Sequence, residues 1–450
     1  MSNRFIELRE DALADFFKQE LNSLQFLPKA NYPEIEKKLS IIASNEERKH
    51  KKIEATRWLW KFIVEKALRS ITENLRGYNE LCNFFDQYVK YENLLFELDK
   101  SHRDHVIHSI WVMLIGLYLR RNVKTFQKMD YSDLVVNLCE DQKTGEKKVK
   151  LVFDMLRERE TALWCLIALT HDLGYPIQKT RNANEIMAHM LSNFGFLEMT
   201  DFKYSFTIVH QTAIAELLNT IASVVAYVSD KCYKVGSLAG ARVDYAKSLE
   251  RFDHGIMSAY LLQMYLDFIC ESMGVVQGLP EVGLWEDKDA VEATTVIALL
   301  RTISAHTNRN FYSDRMGCIP VLLILSDELE EFSRYARSIQ TDEWINVGYR
   351  TEFKCNRKNL AIRYTLDKSE VVDDILEFFK EKVDKLWEHF ELSSQEIKSI
   401  SITCADVRRS PPITYIYRAK TDPVPFKNVE KTSGGTSDNI QGFLDGTVDL

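Results

Sequence analysis

Between residues 104 and 340 the chain is a succession of apolar segments at helical spacing. DHVIHSIWVMLIGLYLRR, DMLRERETALWCLIALT, ANEIMAHMLSNFGF, TAIAELLNTIASVVAYV, GIMSAYLLQMYLDFICESM, AVEATTVIALLRTISAH and IPVLLILSDELEEFSRYARSI follow one another. Segments this apolar must bury their faces against one another, so the spacing predicts a large helical bundle. The chain has 450 residues, of which 45% are apolar and 28% charged. That is ordinary composition for a globular protein, with room for two domains and some extra.

The flanks read differently. Residues 1–100 are expected to be a helical extension, from RFIELREDALADFFKQEL to RKHKKIEATRWLWKFIVEKALRSITENL. The basic run Arg48 to Lys52 reads as a solvated face or an interface to something acidic, and KTGEKK, near residue 145, as a turn or hairpin. Residues 101–343 hold the bundle. From 344 to 420, YRTEFKC, KNLAIRYTLD, EIKSISITCADV and ITYIYRA alternate like strands around the amphipathic VVDDILEFFKEKVDKLWEHF. That ββαββ run predicts a small α+β appendage with a regulatory or oligomerising role. Residues 421–450, rich in Gly, Ser, Thr and Asp, read as a flexible tail. The expected fold class is mainly α with that appendage.

Net charge is −8, which disfavours a broad nucleic-acid surface but leaves room for a local basic pocket. The eight cysteines are scattered, with no CxxC pair, and read as reduced, buried residues of a cytoplasmic protein. The opening MSNRFIELREDALADFF has no apolar core of a leader, and no apolar stretch reaches ~18 residues. No membrane contact is expected.

The ten histidines are few, and several stand at the ends of apolar helices. His108 opens HSIWVMLIGLYL, His171 and Asp172 close LWCLIALTHD, His254 lies in RFDHGIMSAYLL, His306 ends VIALLRTISAH and Asp327 sits in VLLILSDELEEF. Singly, each reads as a hydrogen-bonded core residue or a cap. As a group they are the nitrogen and carboxylate set that binds divalent metals. Buried polar groups without partners cost ~1–3 kcal/mol each, and buried carboxylates cost more. Six of them are better explained as ligands.

The order H…HD…H…H…D on a helical core resembles the HD-domain superfamily of metal-dependent phosphohydrolases. HSIWVMLIGLYL, ALTHDLGYP, FDHGIMSAYLL and LILSDELEEF are similar to its ligand-bearing segments, over roughly residues 100–340. The resemblance implies an HD-domain bundle in which His108, His171, Asp172 and Asp327 form the four-ligand core. His254 and His306 are then the additional histidines of binuclear members, or face the substrate beside a single ion. One or two divalent ions (Mn, Fe, Zn, Ni, Co or Mg) are implied, and Asp172, His254 and His306 become the catalytic set. His105 competes with His108 for the first ligand position. Asp104 and His105 otherwise join Tyr175, Lys179, Arg181, Arg301 and Arg309 as candidate substrate contacts, the cations for phosphate oxygens.

The implied chemistry is attack on phosphorus by water whose pKa the metal lowers. The expected substrate is a nucleotide or another phosphorylated small molecule, most closely a dNTP in triphosphohydrolase or nucleotidase chemistry, with nucleotide depletion or defence as the role. Triphosphohydrolases of the family usually carry a histidine where Tyr175 stands, so a catalytic acid would come from elsewhere, His189 and His210 being available. The longer HHExxDGxGYP motif of cyclic-di-GMP phosphodiesterases and the HDxxED element of guanosine tetraphosphate hydrolases are absent. Alternatives are a phosphodiesterase of a cyclic or oligonucleotide signal, a di-iron oxygenase using the same ligand order, and a nucleotide-sensing scaffold. A homo-oligomer or hetero-complex is expected.

Overall fold

The computed structural model describes residues 5–44, 46–98, 104–192, 208–229, 232–277, 286–313, 315–333, 335–337, 344–346, 348–356, 358–368, 374–392, 397–421, 426–434 and 436–439. The chain is mainly helical and divides into two compact units. Both are discontinuous in sequence. One unit comprises Met1–Leu59, Glu92–Met129 and Arg309–Leu450, and the other Trp60–Tyr91 and Asp130–Asn308. No helix among the described residues is long and apolar enough to cross a membrane.

In the first unit, the His105–Asn122 helix is buried on nearly every face. Asp104 caps it, accepting from the main-chain N–H of Val106 and Ile107 at 3.0 Å each. It packs on the Ile319–Leu329 and Glu10–Glu20 helices. Beside these lies a seven-stranded sheet, larger than the sequence suggests. Its spatial order is Ile6–Leu8, Arg350–Asn356, Asn359–Leu366, Ser399–Asp406, Ile413–Lys420, Phe426–Ser433 and Thr436–Asn439. All pairings are antiparallel except Asn359–Leu366 with Ser399–Asp406, which need a crossover. The Ile375–His389 helix supplies it and lies on the sheet. Ser399–Asp406 alternates strictly, burying Ile400, Ile402, Cys404 and Asp406. Phe379 stacks on Tyr415 and Phe378 on Tyr349.

Four local expectations fail here. Residues 6–8 pair as an edge strand instead of extending the first helix. Residues 426–433 and 436–439 are strands where a flexible tail is expected, held by the ladder beside Ile413–Lys420. The basic run is not wholly solvated: Lys52 is buried, and burial lowers its pKa against the opposing pull of Glu10 and Glu47. Lys49 pairs with Asp104 at 3.3 Å. The reading of all cysteines as buried also fails, because Cys270 is exposed and Cys355 partly so; both are free thiols.

Asp406 ends its strand fully buried and accepts from Arg408 Nε at 2.9 Å, Arg408 Nη2 at 3.0 Å and Arg409 Nε at 3.2 Å. The Arg408 hydrogen bonds, opposed by burial, hold its carboxyl below the usual range. A depressed folded-state pKa means the unfolded chain takes up the proton first. The stability this site contributes is present above the unfolded pKa of ~4 and is lost as pH falls through the folded one. Asp406→Asn should cost about 1–3 kcal/mol at pH 7 and flatten the acid limb. Urea titrations of both proteins at several pH values read this; parallel acid limbs would remove Asp406 from the account.

In the second unit the helices Gln142–Thr170, His254–Tyr265 and Asp287–Ala305 form the packed core, and Tyr175–Ser192 lies against His254–Tyr265. KTGEKK lies in the first turns of Gln142–Thr170, not in a hairpin. Asp141 caps that helix, and its carboxylate accepts from Thr144 Oγ1 at 2.7 Å. Helix Ile208–Ile221 also stops earlier than its apolar pattern suggests. Ser223–Ser229 becomes a strand, paired with Cys232–Ser237 and Val135–Asn137, because the β-branched and aromatic residues of SVVAYVS fill a buried ladder.

Candidate metal centre

Within the second unit, four expected ligands converge. His171 and Asp172 follow the last turn of Gln142–Thr170, His254 opens His254–Tyr265 and His306 follows Asp287–Ala305. Two glycines allow the helices this close. A Cβ on Gly174 would stand 2.3 Å from the His254 carbonyl, and one on Gly255 would stand 2.5 Å from that of Ile303. Ser258 ties the turn down: its hydroxyl bonds the His171 carbonyl at 2.6 Å and accepts the Gly174 N–H at 2.7 Å.

The Asp172 carboxylate is the focus. His171 Nε2 lies 3.4 Å from Oδ2, while His254 Nε2 and His306 Nε2 lie 3.3 and 3.6 Å from Oδ1. His171, Asp172 and His306 are all buried. Each ring's other nitrogen faces an acceptor. His171 Nδ1 is 2.8 Å from the Ala168 carbonyl, His306 Nδ1 2.6 Å from that of Ile303, and His254 Nδ1 2.7 Å from Gln178 Oε1. A main-chain carbonyl only accepts, so Nδ1 carries the proton in His171 and His306, and the Gln178 oxygen facing His254 Nδ1 suits the same tautomer. In the neutral rings, three Nε2 lone pairs then aim at one carboxylate.

Lone pairs facing an anion repel it. Protonating every ring does not solve the problem. The ring centres of His171 and His254 are each 5.0 Å from that of His306. Two imidazolium charges at that spacing repel by about 3 kcal/mol at an effective dielectric of about 20. A cation between nitrogens and oxygens removes both conflicts. Two atoms that each ligate an ion at ~2.1 Å stand about 3.0–3.4 Å apart, which is close to the spacing seen. The buried His306 Nε2 has no hydrogen-bond partner, as a waiting ligand should. These buried His and Asp side chains could hold a metal ion. The carboxylate offers one oxygen to His171 and the other to His254 and His306, a division that suits one ion or a bridge between two.

In the first unit, His108 repeats the pattern: Nδ1 lies 2.6 Å from Glu330 Oε2 and Nε2 3.0 Å from Asp327 Oδ1. His105 instead faces Glu92, whose Oε2 is 3.5 Å from its Nδ1. The structure therefore gives the ligand-like geometry to His108.

The expected substrate contacts separate clearly. Tyr175 packs edge-on against His254 with ring centres 5.7 Å apart, and Lys179 Nζ sits 5.0 Å over the Tyr175 ring. Arg181 turns away, donating to the Glu250 carbonyl at 3.0 Å and covering Phe252. Arg301 is buried and spends its donors on the carbonyls of Ile221, Asp133 and Ser223, so it is a structural tie, not a substrate contact. Asp104 is likewise committed as a cap and to Lys49. Arg309 is exposed. His189 is exposed on its helix, and His210 bonds Tyr260. Sequence reasoning missed Gln178 and Glu330. Only their spacing from the candidate ligands, six positions after Asp172 and three after Asp327, could have suggested them.

No family model, no curated protein and no solved structure matches the chain.

Proposed function

We propose that this chain is a metal-dependent phosphohydrolase of the HD type, cleaving a phosphate ester or anhydride of a nucleotide. The observation that carries the reading is the convergence of three histidine Nε2 atoms on the Asp172 carboxylate. The H…HD…H…H…D order supports it independently. A divalent ion bound there supplies charge stabilisation for a phosphoryl group and activates water for attack on phosphorus.

The chain's own residues have separable tasks. The carbonyls of Ala168 and Ile303 hold His171 and His306 in one tautomer. Tyr175 fixes the His254 ring from its edge and presents a face for a base or a ribose. Lys179 is the cation nearest that face, and with Arg301 and Arg181 committed elsewhere it is the best placed to meet phosphate. The sequence order puts His108 and Asp327 in the ligand set as well, and the metal stoichiometry of Asp327→Ala tests that extension separately.

The test pairs metal analysis with a product screen of dNTPs, NTPs, monophosphates and cyclic dinucleotides, with added Mn or Mg. Release of phosphate or triphosphate from one class is the expected result. Lys179→Ala should then raise KM about tenfold or more, with metal content intact. Two irons per chain with no phosphate released from any substrate would replace hydrolysis by oxygen chemistry. Nucleotide binding without turnover would leave a sensor.

A further inference from the structure

The histidines around Asp172 are oriented in two different ways, and the helix ends explain why. The last four carbonyls of a helix lack intrahelical partners, whereas at the first turn the orphans are N–H groups. His171 and His306 follow C-terminal ends, so Ala168 and Ile303 offer them spare carbonyls. His254 is the first residue of its helix. The main chain there has donors to spare and no acceptor. Its Nδ1 proton is taken instead by a side chain from another helix, Gln178 Oε1 at 2.7 Å. His108, in the first turn of His105–Asn122, shows the same need and meets it with Glu330.

From this we infer that Gln178 is a positioning residue of the metal centre, fixing the tautomer and ring angle of His254 so that Nε2 faces Asp172. It touches neither metal nor substrate on this account. It acts through His254 alone. A neutral amide is also a weaker acceptor than the Glu330 carboxylate. The sequence places Gln178 directly before Lys179, so one helix turn both orients a ligand and carries the phosphate-facing cation. The inference rests on the metal-centre part of the proposed function.

The experiment is Mn2+ binding to the full chain by equilibrium dialysis or calorimetry, for the wild type, Gln178→Leu, Gln178→Asn and Gln178→Glu. Leucine removes the acceptor and asparagine withdraws it by one methylene. Both should weaken the His254-dependent ion by ~10–100-fold, the usual loss when a ligand's hydrogen-bond partner goes. Glutamate keeps an acceptor in reach and should restore wild-type affinity or better, a rescue that a merely structural role would not give. The melting temperature of each metal-free variant serves as the folding control. Two variants with different packing guard against one failing to fold. Wild-type binding with Leu and Asn variants within twofold of it would overturn the inference alone. No Mn2+ binding by the wild type, with His171→Ala indistinguishable from it, would overturn the metal centre itself and this inference with it.

Discussion

On the proposed function, Asp172→Ala is expected to lose bound metal and at least ~10³-fold of the hydrolytic rate. The carboxylate presents oxygens to three histidines, so its removal takes away the anion that balances the ion's charge. What remains is a set of neutral nitrogens of much lower affinity. A second readout does not depend on knowing the substrate. An ion that binds only the folded chain stabilises it by about 2.7 kcal/mol when present at 100 times its Kd. The wild-type melting temperature should therefore climb with added Mn2+, and that of Asp172→Ala should not. In metal-free buffer the order should reverse or vanish, because the variant no longer holds a carboxylate against three lone pairs. Equal metal content and equal thermal response in the two proteins would show the site to be misassigned.

Lys382→Ala should cost about 3–5 kcal/mol of stability, enough to unfold the first unit in a marginal chain. Lys382 is buried, with Nζ 2.8 Å from Glu328 Oε2 and 2.5 Å from Glu331 Oε1, themselves buried. Burial alone would lower its pKa, but Glu328 and Glu331 hold it above the ordinary lysine value. A raised pKa is a contribution present throughout the neutral range and lost only as pH rises through that value in alkali. Removing the ammonium takes away the cation that Glu328 and Glu331 share, leaving Glu328 to Lys385 alone. Glu331→Gln in the same chain should recover part of the loss, and the coupling should exceed about 1 kcal/mol in a double-mutant cycle. Chemical denaturation at pH 7 decides it. A loss below about 1 kcal/mol, or strict additivity, would mean that Lys385, which also reaches Glu328, carries the balance instead.

Much of the candidate site was legible in the sequence because histidines are rare and stand in conspicuous places. A histidine at the end of VIALLRTISA interrupts an apolar pattern, and the eye stops there. Arg301 shows the limit of that reasoning. Five residues before His306 it resembles a phosphate contact, yet a helix end, a strand end and a turn each present a carbonyl to it. Those carbonyls belong to every residue type alike, so nothing in the sequence marks them. Gln178 was invisible for a related reason: its role depends on which end of another helix a histidine occupies. The central helices followed from periodicity, whereas strands 426–433 and 436–439 did not. FKNVEKTS and TSDN carry little apolar alternation, and what orders them is a ladder of main-chain bonds to neighbours already in place. The same holds for the three-residue strand Ile6–Leu8, too short to show a period of two.

That short strand bears on how the chain is made. Its partner, Thr351–Phe353, lies about 350 residues downstream. At ~5–20 residues per second a ribosome takes roughly 20–70 s to deliver it. Over that interval the apolar Leu8 has no sheet to join, and the first unit stands as separate pieces of nascent chain. The second unit, almost continuous from 60 to 308 apart from residues 92–129, can collapse as soon as it emerges. Biogenesis should thus run from the middle of the chain outward. The first unit is the part that leans on chaperones, and a stalled or truncated product would retain the Asp172 histidines while leaving an unfinished sheet edge to aggregate.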